Sequence, residues 1–127
     1  MRFAVVRRHT RKLALVAGWA TLLFIVGSTL APIYVRPTSS LPVDFERCLA
    51  FAIVGFAFTL ASPNRPLLLL ALLVACAGSL EWLQTLSPGR HARMDDFAVK
   101  AIGVAIGVAT ATVANYWVRR FGKSSAD

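Results

Sequence analysis

The residues of this chain best suited to chemistry are gathered in one window, "SLEWLQTLSPGRHARMDD", which sits between two of its most apolar stretches. Glu81 and Gln84 are followed by Arg90, Asp96 and Lys100, with Arg47 at the head of an earlier apolar run as a further cation. A carboxylate and a guanidinium are suited to proton transfer and to bidentate capture of an anion. An amide such as Gln84 adds directional donors and acceptors. No serine is paired with a His or Lys base at motif spacing, and no glycine-rich phosphate loop is present. His9 and His91 lack partners at metal-ligand spacing, so neither a metal nor a cofactor is expected. Cys48 and Cys76 fall in different apolar runs and read as small buried residues rather than a disulfide.

The elements that position these groups are apolar blocks. The chain has 127 residues, 57% of them hydrophobic and 16% charged, against about a quarter charged in an average soluble domain. Its mean hydropathy is +0.63. Four runs are long enough for helices that cross a bilayer, which takes about 20 residues each. They cover about 13–35, 42–62, 66–86 and 97–118, within one domain spanning 1–127. The first run exceeds the roughly 7–15 apolar residues of a cleaved signal core, so a retained helix is expected. Pro42 and Pro66 suit first helical turns, Asp44 and Glu46 suit the positive end of the second helix, and "PNRP" and "SPG" punctuate the chain. The expected fold is all-α, a polytopic bundle of four transmembrane helices.

Charge orients that bundle. Nine basic residues lie at the amino terminus (Arg2, Arg7, Arg8, Arg11, Lys12), at Arg65 and in the tail (Arg119, Arg120, Lys123), while only Arg36, Arg47, Arg90 and Arg93 fall at the opposite end. The positive-inside rule then puts both termini in the cytoplasm. The net charge of +8 is a topology signal helped by anionic lipid, and no nucleic-acid partner is expected from it. Tyr116 and Trp117 read as interfacial anchors at the cytoplasmic end.

Five of the six acidic residues, Asp44, Glu46, Glu81, Asp95 and Asp96, belong to the outward end. Glu81 lies more than a turn inside the third run, where an ionised group costs up to about 3 kcal/mol unless it pairs, protonates or meets water. Arg47 and Arg90 are its candidate partners. Gln84, three residues on, shares its face. On the fourth helix Asp96 and Lys100 are spaced to pair. Gly103 and Gly107 continue that stripe and would let a neighbour approach closely, with the third helix as the expected neighbour. Asp95 and Asp96 serve equally well as caps of the fourth helix, and Arg90 and Arg93 as solvated loop cations.

The string of Glu81, Gln84, Arg90, Asp96, Gly103 and Gly107, at these spacings, resembles the signature of the VanZ-like family of small bacterial membrane proteins. The sequence departs from that pattern at Lys100, where the family usually has Asn. It departs again at Glu46 and Arg47, where the family has an Asp-Lys followed by His. The resemblance implies a multi-pass protein of the bacterial cytoplasmic membrane, related to an accessory protein of teicoplanin resistance.

Three functional classes follow. The favoured one is a membrane protein whose outward site of Glu81, Gln84, Arg90, Asp96, Lys100 and Arg47 binds a lipid, an envelope precursor or a lipoglycopeptide. Its partners are then membrane lipid or an amphipathic envelope molecule, with self-association or other membrane proteins left open. The second is an enzyme on a lipid-linked substrate, with Glu81 as acid or base and Arg90 as anion clamp, although no nucleophile or metal motif accompanies them. The third is a proton-coupled transporter, which requires a carboxylate near mid-bilayer. The topology has a direct test. In a background without the native cysteines, thiol reagents should label Thr38→Cys and Ala92→Cys from outside the cell, and Asn64→Cys and Gly122→Cys only after permeabilisation. Labelling of Ala92→Cys from within alone reverses the orientation.

Overall fold

The computed structural model describes residues 2–31, 40–86 and 93–124, and every element among them is helical. The helices are α1 (Arg2–Leu30), α2 (Val43–Ala61), α3 (Pro66–Gln84) and α4 (Met94–Ser124). Three contain segments that are long and apolar enough to cross a membrane by length and composition: Arg7–Leu30, Pro66–Gln84 and Met94–Gly122. The outer helices are longer than the hydropathy pattern suggests. α1 begins within the basic segment, because nothing between Arg2 and Lys12 interrupts a helix, and it ends at Leu30, short of Pro32. α4 starts at Met94 rather than 97 and continues past Val118 to Ser124.

α2 differs from the other three. It has 19 residues, but Asp44, Glu46 and Arg47 stand at its head. The apolar stretch that remains, Cys48–Ala61, rises about 21 Å against a hydrocarbon core of roughly 30 Å. Its surroundings compensate, since seven of its residues are buried against four of α3. α2 is the inner helix, and lipid need not meet its whole length.

The packing explains how α2 comes to be inside. Gly103 and Gly107 of α4 lie directly on the backbone of α2, where a Cβ would collide with the carbonyl oxygens of Cys48 and Ala52. From the other side, a Cβ on Gly55 would meet the Val104 carbonyl oxygen at 2.8 Å. The stripe of small residues thus faces α2 and not α3. The reason is complementarity: α2 presents Cys48, Ala52 and Gly55 at helical spacing, so two backbones can approach without side chains between them. The contacts Cys48/Gly103 and Ala52/Gly107 share the 55-residue offset of the Asn64–Arg119 hydrogen bond. A constant offset means that α2 and α4 run in the same direction, with α3 the returning segment that joins them in sequence.

Around that pair, Phe51, Val54, Phe58, Leu73, Ala77, Leu80, Val104 and Val108 form the core, joined from α1 by Ile25. α1 docks where Gly18 leaves room for the Phe58 ring, 3.2 Å from an added Cβ, and Trp19 meets that ring edge-on at 5.4 Å. Large apolar side chains elsewhere point outward, among them Leu13, Val16, Leu23 and Phe24 on α1, Leu67 and Leu72 on α3, and Ile102 and Val113 on α4. An apolar exterior on this scale has a bilayer as its natural solvent. The hydroxyls of Thr21, Ser79, Thr110 and Thr112 donate to carbonyls one turn back, which satisfies them without water. Gly107→Leu should therefore lower folded, membrane-extracted protein severely, while Gly27→Leu, which meets open space, should leave it unchanged. Fluorescence-detected size exclusion compares the two directly.

Candidate functional site

The polar residues converge where α3 ends and α4 begins. Lys100 Nζ donates to Glu81 Oε2 at 2.5 Å, and both side chains are buried, at 4% and 7% exposure. The backbone N–H of Arg93 donates to the other carboxylate oxygen at 3.1 Å. Arg93 is also the residue whose carbonyl accepts the bond from Phe97 N–H that opens α4. Glu81 therefore places its charge at the positive end of α4, from a different helix. The cap expected of Asp95 or Asp96 comes, among the described residues, from Glu81.

Asp96 is engaged elsewhere. Its Oδ2 lies 2.7 Å from Arg47 Nη1, and Asp44 Oδ1 is 3.9 Å from the same nitrogen. Two expected pairings are thereby corrected. Among the described residues Glu81 pairs with Lys100 and not with Arg47, the other expected partner, Arg90, lying outside them, and Asp96 pairs across to α2 instead of along α4 with Lys100. α4 lies against both α2 and α3, so Asp96 and Lys100 each find a partner on a different neighbour. A buried ion gains more from such a partner than from a local pair at the surface. Gly103 and Gly107, one and two turns below Lys100, bring α4 close enough to α2 for the Arg47–Asp96 contact.

Gln84 is the last residue of α3 and half-buried. Arg90 lies outside the described residues. The structure thus brings Glu81 and Lys100 together, joins Arg47 to Asp96, and leaves Gln84 at the rim. The Arg93 amide escaped sequence reasoning because backbone donors carry no residue signature. Cys48 and Ala52 were detectable, since with Gly55 they repeat small residues at steps of four and three.

The chemistry available at this end follows from which groups are committed. Both oxygens of Glu81 have partners, and Lys100 is enclosed with them. Arg47, 28% exposed, engages Asp96 through one nitrogen, and its further N–H donors have no ion-pair partner among the described residues. Among the described residues, no three His, Cys, Asp or Glu side chains gather as a metal site. Comparison with known proteins yields no match to a family model, a curated protein or a solved structure.

The Glu81–Lys100 pair has a quantitative test. Lys100→Met strands a buried carboxylate and should cost about 3–5 kcal/mol of folding stability, whereas Glu81→Leu with Lys100→Met should cost much less than the two single changes summed. Unfolding in mixed micelles measures the cycle, and strict additivity excludes the pair.

Proposed function

We propose that this chain is a multi-pass protein of the bacterial cytoplasmic membrane, VanZ-like in kind, with both termini in the cytoplasm and an outward polar end that engages an amphipathic envelope molecule. A lipid, an envelope precursor and a lipoglycopeptide all combine a charged or hydrogen-bonding head with an apolar body. The observation that carries this reading is the partly exposed guanidinium of Arg47, fixed by Asp96 on the rim of a bundle whose flanks are apolar. Gln84 on the same end, and Arg90 of the sequence that joins α3 to α4, supply the remaining polar contacts. Lys100 and Glu81 then act as the support beneath the site instead of touching the ligand.

This arrangement favours binding over the two other classes. An enzymatic role needs Glu81 as a free acid or base, and both of its oxygens are already taken. A transport role needs a carboxylate near mid-bilayer, and Glu81 lies three residues, roughly 5 Å, from the end of α3. Gln84→Ala, Arg90→Ala and Asp96→Asn should each impair the envelope phenotype of a deletion strain at near-normal protein abundance, with lipoglycopeptide susceptibility the first assay. Each removes a contact, or the hold on Arg47, worth about 1–3 kcal/mol. Gly103→Leu should lower abundance first. Full activity in all three polar variants, or losses that only track protein level, rejects the site.

A further inference from the structure

The opposite end of the bundle carries a second cluster, unlike the first in its charge balance. Arg11 of α1, Arg65 in the turn before α3, and the polar side chains of Ser62 and Asn64 line a cleft of about 350 Å³, which Leu68 and Leu69 continue down the side of α3. Arg119 of α4 donates to Asn64 Oδ1 at 3.1 Å, which ties the carboxyl-terminal part of α4 to the rim of this cleft. Five of the six acidic residues of the chain belong to the Glu81 end, and the sixth, Asp127, lies outside the described residues. Arg11, Arg65 and Arg119 are therefore without a carboxylate partner among the described residues. The geometry is a cationic mouth over a leucine-lined wall, between two helices of a membrane bundle.

We propose that this cleft is a binding site for an anionic phospholipid, its phosphodiester held between Arg11 and Arg65 and an acyl chain laid along Leu68 and Leu69. The charge selects an anion, since basic pockets between membrane helices collect acidic headgroups. The leucines select a lipid over free phosphate, because an inorganic anion gains nothing from an apolar wall. Arg65 also precedes Pro66 at the start of α3, where the helix dipole adds to the attraction for a negative group. The site is at the end remote from Arg47 and Gln84, and it holds whether or not the outward site binds anything.

The experiment titrates detergent-purified full-length protein with short-chain phosphatidylglycerol, phosphatidylcholine or sodium phosphate, and reads the thermal unfolding midpoint together with lipid adducts by native mass spectrometry. Phosphatidylglycerol should stabilise the protein and leave a discrete adduct, with phosphatidylcholine and phosphate much weaker. Arg11→Gln with Arg65→Gln should weaken phosphatidylglycerol binding by about fivefold per arginine. Arg7→Gln with Arg8→Gln, an equal change of charge on an exposed part of α1, should leave it nearly unchanged. If the cleft pair folds poorly, Arg11→Gln alone carries the same comparison at half the effect. Equal losses in the cleft and control pairs, or phosphate matching phosphatidylglycerol, overturn the proposal, the first in favour of diffuse surface charge and the second in favour of a simple anion site.

Discussion

Two backbones in contact set the geometry of this protein. Gly103 and Gly107 have no Cβ, and the carbonyl oxygens of Cys48 and Ala52 occupy the space where one would be. In a bilayer the hydrophobic effect gives helices little reason to associate, since lipid tails are as apolar as leucine. Close packing of this kind supplies the attraction instead. It fixes α2 and α4 in parallel register. It also lets α2, with Asp44, Glu46 and Arg47 at its head, occupy the interior, where α1 and α4 flank it.

The polar network depends on that register. With α4 pressed against α2, Asp96 reaches Arg47, and one turn further on Lys100 reaches Glu81 at the end of α3. Each pair joins a different neighbour to α4, so the Glu81 end of the bundle is tied from both sides. The desolvation cost of a buried ion pair is large and is offset only by good geometry and completed hydrogen bonds. Glu81 meets that condition through Lys100 and the Arg93 amide together. A carboxylate and an ammonium group enclosed in this way tie the end of α3 to the start of α4, while Arg47 stays partly exposed.

The two ends of the bundle divide the electrostatic work. At the Glu81 end, Glu81 and Lys100, and Asp96 and Arg47, compensate one another through side-chain pairs. The Arg65 end has cations in excess, and its counter-charge must come from outside the described chain. A membrane with anionic lipid would supply that charge, and the proposed headgroup site would then use the same asymmetry from which the orientation is read.

Much of the architecture was legible in the order of residues. Long apolar runs separated by proline-containing breaks specify helices of bilayer length, because backbone groups in hydrocarbon must bond within their own segment. Clustering of acids near Glu81 and of bases elsewhere marked the two ends. The stripe from Gly103 to Gly107 announced a close helix contact, since only small residues permit one. The sequence could not choose the partner. Asp96 and Lys100 at i and i+4 are as well placed to pair with each other as with neighbours, and the glycine stripe fits any helix that offers small residues. Those choices were made by the tertiary structure, where Cys48, Ala52 and Gly55 complement the stripe and the burial of Lys100 beside Glu81 leaves each charge the nearest opposite one. Interhelical pairing depends on rotation and register, and these are fixed by packing between segments far apart in the chain.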